Sequence, residues 1–483
     1  MKSSIILLVL TILTGSGSLF AQSVKSADWL EDFAQLKQEM SAHYANLEWA
    51  IEERGLDLKQ ISGQTEARLK LAQNQAEAQK AIEDFLSSFA DAHLKAEWIS
   101  NNQNPQTPTV KPETMSLSFC QQIGYRPNQF IKAGIAFSAL KNFNSLTNEN
   151  SKYFPAGVLN LSSGKKVGVI RIGLFMENQF TGLCEKAAAE MNLANDAKCG
   201  DECENRISRR VSTLLTEALA AQVESLKLEK IDALVIDITS NGGGSNWYEP
   251  AARTLTPKPL RSADFGFLKH QHWTRQLKAQ LSDVETVIQK NPPPKIKELL
   301  SKTAENLRTE IAETQKTCDR SGVWENLKLD CSLVVSALKP VLPYAKPGEI
   351  NDAEISGLLF GASFYTYREG VYSGKLMILI DQKTASSSEA FTSMLRDSGA
   401  ATVIGQPSMG AGCGYTNGGI QTVLKNSGAR VRMPDCVRFR ADGSNEVAGI
   451  TPDVLIPWRQ NDTPFQKTKR AAETLEKTLT AGK

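Results

Sequence analysis

An α/β core on a parallel or mixed sheet is predicted by three apolar runs, Lys166-Val167-Gly168-Val169-Ile170-Arg171-Ile172, Ile231–Ile238 and Lys375–Asp381. Each is strand-length and apolar enough to be buried on both faces. Helical periodicity separates them, through Val211–Leu226 and again over Ala390–Asp397, and strands alternating with helices fold as α/β layers. At 483 residues the chain can build two or three domains around a substantial core. Its 41% hydrophobic and 22% charged residues are ordinary globular composition. A net charge of +2 gives no electrostatic case for nucleic acid or an anionic membrane, so the substrate has to be argued from a site.

In chain order, residues 1–21 read as a secretory signal peptide: Lys2, the apolar run Ile5–Leu13, then Leu19-Phe20-Ala21 as a cleavage site. The run is too short for a membrane span, and no Cys follows it closely enough for a lipid anchor. The mature protein is therefore expected to start near Gln22, exported to the periplasm or medium without stable membrane insertion. Residues 22–105 carry Trp29, Phe33, Leu36, Met40 and Tyr44 at helix spacing, with Phe85 and Phe89 in a second such pattern, and read as an N-terminal helical domain. A polar, Pro-containing linker follows at 101–108. Residues 106–165 give weak signals of short strands and turns. Residues 166–250 and 371–458 hold the core, 251–370 read as a largely polar helical insertion around Pro292-Pro293-Pro294, and 459–483 as a charged helical tail.

Eight cysteines, an even number, fit disulfides in an exported chain. Cys318–Cys331 and Cys413–Cys436 are the expected local pairs, with either Cys199–Cys203 or Cys184–Cys199 beside them. A metal site on Cys199-x-x-x-Cys203 is the rival reading, but no His lies near it in sequence. No metal and no organic cofactor is expected.

The stretch Thr384-Ala385-Ser386-Ser387-Ser388-Glu389 stands between the third strand and its helix. Ser386-x-x-Glu389 has capping-box spacing, which needs no catalysis. A serine there also sits beside unpaired N–H groups and the positive end of a helix dipole, where an oxyanion can be stabilised.

Taken with Asp237-Ile238-Thr239-Ser240-Asn241-Gly242-Gly243-Gly244, which precedes it, this stretch resembles the signature of the C-terminal processing (tail-specific) and tricorn-type serine peptidases. The resemblance runs from the helical N-terminal region to Gly449-Ile450-Thr451-Pro452-Asp453 and leaves 251–370 uncovered. It implies a crotonase-like ββα-spiral core and a nucleophile at Ser386. Many members insert a PDZ domain before the core; residues 106–165 are too few for a complete one and are a linker/β region or a reduced version. Tail-specific members use a Lys base, and the matching position here is Ala411, in Gly405-Gln406-Pro407-Ser408-Met409-Gly410-Ala411. Asp91-Ala92-His93 instead resembles the element carrying a catalytic His in relatives of the Ser-His-Glu branch, and an imidazole of pKa ~6.5 suits a general base at neutral pH. The carboxylate of that branch corresponds to Glu446, otherwise a loop residue beside the Asp442-Gly443 turn. The oxyanion hole is assigned to the amides of Gly243, with Gly244 as alternative, and Ser387; glycines there let backbone approach substrate.

Other residues read as structural. Asp397 supports the serine helix, and His43 lies on the surface of the first helix. His270-Gln271-His272, whose alternation on a strand could hold a metal, is more simply a solvated segment. The reading is an exported serine endopeptidase acting on polypeptides through Ser386, His93 and Glu446 and an acyl-enzyme, with a homodimer compatible with the sequence. A non-catalytic peptide- or ligand-binding protein on the same fold is the alternative, favoured by Ala411 and by Thr239 where the family often has Arg. An esterase using the same triad is a third. The insertion is expected to cover or restrict the active-site groove.

Overall fold

The computed structural model describes residues 25–98, 117–126, 134–316, 318, 320–327, 331–332, 334–338, 341–342, 344–347, 349–350, 353–416 and 419–481. The signal peptide expected over 1–21 and the linker at 101–108 lie outside them. A seven-stranded mixed sheet runs in the order Val454–Leu455, Thr402–Gly405, Lys375–Ile380, Ala233–Asp237, Lys166–Arg171, Ala156–Asn160, Phe143–Leu146. The first five strands run parallel to one another, and the last two pairings of the order are antiparallel.

Alternation along the central strands explains the layering. Leu234, Ile236, Ile378 and Ile380 face one side, where the helices Asp201–Leu228 and Ser387–Asp397 cover them through Leu215, Leu219, Phe391 and Leu395. Ala233, Val235, Met377 and Leu379 face the other, packed with Ala471 and Leu475 of the C-terminal helix Pro464–Thr480. The central strands thus bury both faces, as parallel strands require. Strands expected within 106–165 are the antiparallel edge of this same sheet and not a separate unit.

Four helices, Ser26–His43, Leu47–Glu52, Leu58–Leu71 and Gln75–Ser87, form the N-terminal region, with Trp29, Phe33, Leu36, Met40 and Phe85 buried. Their core continues into Val431, Met433 and Val437 near the C-terminal end. The short strand Lys95–Glu97 pairs antiparallel with Arg430–Met433. This pairing fixes His93, two residues upstream, against the peptidase core.

The insertion contains two long helices, Gln271–Gln289 and Pro294–Thr314, packed through Leu277, Val284, Leu300 and Leu307. It is not purely helical: Asp264–Leu268 pairs with both Cys436–Phe439 and Val334–Leu338. His270 caps the first long helix, its Nδ1 accepting from the His272 N–H at 3.1 Å, so helix-start geometry replaces the strand alternation considered for His270 and His272. Disulfides join Cys318–Cys331, Cys413–Cys436, Cys199–Cys203 and, unforeseen, Cys120–Cys184 across 64 residues.

Candidate active site

Ser386 stands between the Lys375–Ile380 strand and the Ser387–Asp397 helix at φ 56°, ψ −119°. A non-glycine residue in this region carries strain that the surroundings must hold. They do so on both sides. Glu389 Oε2 accepts from the Ser386 N–H at 2.8 Å, the carboxylate half of the capping box. The Ser386 carbonyl accepts from Arg438 Nη2 at 3.0 Å.

The glycine loop is sewn to the serine turn. The Ala385 N–H donates to the Asn241 carbonyl at 3.1 Å, and Ser387 Oγ donates to the Gly244 carbonyl at 3.2 Å. Gly243, at φ 94°, leaves room for no side chain: a Cβ would lie 2.7 Å from both the Ala385 carbonyl oxygen and the Ser387 nitrogen. Its N–H donates to Asn241 Oδ1 at 3.0 Å. Among the described residues the N–H groups of Gly244 and Ser387 donate to no protein acceptor. At the start of the loop, Asp237 accepts from Thr239 and pairs with Arg171, a guanidinium supplied by the neighbouring strand where Thr239 itself brings none.

His93 Nδ1 lies 2.6 Å from the Ala411 carbonyl, which makes Nδ1 the protonated nitrogen and leaves Nε2 its lone pair. Burial, with Arg438 and Lys95 nearby, pushes its pKa down to about 4, so the ring is neutral at pH 7. The backbone is also pinned: the His93 N–H donates to Asp91 Oδ1 at 2.9 Å, and the Tyr415 hydroxyl donates to the His93 carbonyl. Asp91 accepts from Tyr44 and Asn46 as well, and burial raises its pKa to about 6. Against the ring lies Gly414, where a Cβ would come within 3.1 Å of Nε2.

Glu446 is fully buried. Its carboxylate accepts from Arg438 Nε at 2.7 Å and Ser393 Oγ at 2.8 Å. Arg438 in turn donates to the carbonyls of Ser386 and Gly412, each at 3.0 Å. Among the described residues no hydrogen bond joins His93 directly to Ser386 or Glu446; the contact to His93 Nδ1 belongs to the Ala411 carbonyl.

Two residues to which sequence reasoning gave no part in the site's chemistry organise it. Glu389 accepts from the N–H groups of Ser386, Gly410 and Ala411 and from Ser408 Oγ, tying the serine turn to the loop that holds His93. The capping-box spacing identified it, but not its reach across 22 residues. Arg438 carried no local signal at all. Asp397 pairs with the partly buried Arg440. His43 and His270 stack edge-to-face at 4.7 Å, away from this cluster. Among the described residues no group of three or more His, Cys, Asp or Glu side chains could hold a metal ion.

The model of peptidase family S41 matches residues 206–456, more than half of the chain. Among solved structures, mature CPAF complexed with lactacystin is similar with a TM-score of 0.55 at 13% identity, over 94% of this chain and 98% of that one. Mature CPAF alone gives 0.53 at 14% identity, over 94% and 97%. At such identities the likeness speaks for the fold.

Proposed function

The chain belongs to peptidase family S41, and from that premise we propose that this serine-type peptidase is an exported endopeptidase using Ser386, His93 and Glu446. The observation that carries the reading is the backbone of Ser386, held at φ 56°, ψ −119° between the Gly243 turn and the Glu389 carboxylate. A helix cap needs no such conformation; a serine presented at the head of a helix does.

In the proposed reaction His93 Nε2 takes the hydroxyl proton as Ser386 Oγ bonds to the peptide carbonyl carbon. The Ser387 and Gly244 N–H groups stabilise the resulting oxyanion, while Gly243 keeps the two turns in contact. Collapse breaks the C–N bond, and His93 returns the proton to the leaving amine. Water then attacks the acyl-enzyme, its proton passing through His93 back to Ser386. The Ala411 carbonyl fixes the ring tautomer, in the place where a Lys base would otherwise stand. Glu446 acts through Arg438, neutralising the guanidinium that grips the Ser386 and Gly412 carbonyls.

Export is supported by the signal-like residues 1–21 and by four disulfides, which persist in oxidising compartments. Among the described residues no helix is long and apolar enough to cross a membrane. The test is an internally quenched peptide blocked at both ends. Internal cleavage that vanishes in Ser386→Ala supports the reading; cleavage surviving in that variant overturns it. The binding-protein alternative predicts no cleavage by either.

A further inference from the structure

We infer that the cavity between the insertion and the segment that follows the glycine loop is a substrate subsite for a bulky apolar side chain. This inference rests on the peptidase reading above. The cavity measures ≈ 790 Å³, within the range of ligand-binding clefts. Asn246 and Tyr248 line it, and Asn246 follows by two residues the Gly244 whose carbonyl holds Ser387 Oγ. Two residues of chain span about 7 Å at most, so this lining residue lies within that distance of Gly244. Tyr248 lines the adjoining crevice along the serine helix too, with Ala390 and Ser393. The opposite wall comes from the insertion.

Its chemistry sorts by depth. Leu307 is buried, and Phe265, Phe364 and Tyr365 are half-buried, so an apolar and aromatic wall remains in part open. The charged groups are at the rim or satisfied: Arg209 and Asp283 are exposed, and Glu249 pairs with Arg253 at 2.9 Å. The Arg209 guanidinium lies 4.3 Å from the Phe364 ring centroid, which fixes that aromatic face at the mouth. No buried charge in the wall therefore asks for a charged substrate group, and the free surface rewards displacement of water by an aromatic or leucine-like side chain. The insertion, expected to restrict the groove, supplies instead one wall of a side-chain site.

The experiment compares end-blocked quenched peptides that differ only in having Phe, Leu, Ala or Asp at each position flanking the cleaved bond. Fluorophosphonate labelling of Ser386 runs in parallel. At one flanking position Phe and Leu should exceed Ala and Asp by about tenfold or more in kcat/KM. Phe364→Ala and Asn306→Trp, which respectively empty and fill the cavity, should each remove most of that preference while the labelling rate stays within about twofold. No preference in the parent, or a preference intact in both labelled variants, overturns the inference. Failure of the parent to label at Ser386 overturns the peptidase reading itself, which separates the two failures.

Discussion

Ser386 and Ala411 share one carboxylate oxygen: Glu389 Oε2 accepts from the Ser386 N–H at 2.8 Å and from the Ala411 N–H at 2.9 Å. The Ala411 carbonyl then holds His93. The Ser386 turn and the His93 ring are therefore positioned by one side chain. It faces four donors, a set that an ionised, acceptor-only carboxylate satisfies.

Glu389→Gln turns one acceptor oxygen into an NH2 facing N–H or O–H donors. Burial, and after it the nearby Glu446 carboxylate, raises the pKa of this carboxyl while its donors oppose the rise, so the neutral isostere tests the donors directly. Leaving buried donors unpaired should cost about 1–3 kcal/mol in chemical denaturation. Labelling of Ser386 should slow at least about tenfold, since a misplaced nucleophile loses more than its stability share. Full labelling rate in the folded variant would contradict the shared-support account.

The His93 pKa, pushed down to about 4, places the acid limb of kcat/KM in the free enzyme near pH 4, well below an ordinary histidine at ~6.5. The same depression has a stability sign. Above the unfolded-state value the neutral ring costs nothing. As pH falls from ~6.5 through about 4 the unfolded chain takes up the proton first, and His93's share of stability is lost. A pH–rate profile with its acid midpoint near 6.5, removed by no other substitution, would contradict the burial argument.

Arg438→Met strips the buried Glu446 of its guanidinium and releases the carbonyls of Ser386 and Gly412. Breaking such a pair from one side should destabilise by about 3–5 kcal/mol. Pairing it with Glu446→Leu should restore part of that stability but not the labelling of Ser386, because the carbonyls stay unsupported. Denaturant midpoints and labelling rates on the same samples separate the two effects.

Cys413 and Cys436 tie the loop carrying Ala411 and Gly414 to the strand carrying Arg438. Removing this crosslink, which closes a span of 23 residues, with Cys413→Ala and Cys436→Ala should cost about 2–4 kcal/mol. Activity should fall at a lower temperature than global unfolding does, because the loosened segment holds His93. Coincident losses would argue that the bond serves the whole domain only.

The parts that sequence made legible are those whose signal is local. Apart from their terminal Asp237 and Lys375, Ala233–Asp237 and Lys375–Ile380 are apolar on both faces because both sheet faces are covered. The helix expected at Val211–Leu226 extends to Asp201–Leu228, its added first turn carrying Asp201, Glu202 and Glu204 at the positive dipole end. Phe143–Leu146 and Ala156–Asn160 were weak because the first is a partly exposed edge strand of four residues. Ser386 and the Gly243 loop were legible as junctions between elements. The Ala411 carbonyl, Arg438 and the wider role of Glu389 were not, since a backbone oxygen has no sequence identity and their partners lie 8 to 318 residues away, none at a spacing that marks a local motif. The Cys120–Cys184 bond was hidden for the same reason.

The most direct test of the account is fluorophosphonate labelling of the oxidised mature protein, with the modified residue located by mass spectrometry. The account predicts label on Ser386, lost in His93→Ala while the variant keeps its far-ultraviolet dichroism and thermal transition. A folded, oxidised protein that takes no label, or that labels equally without His93, would contradict it.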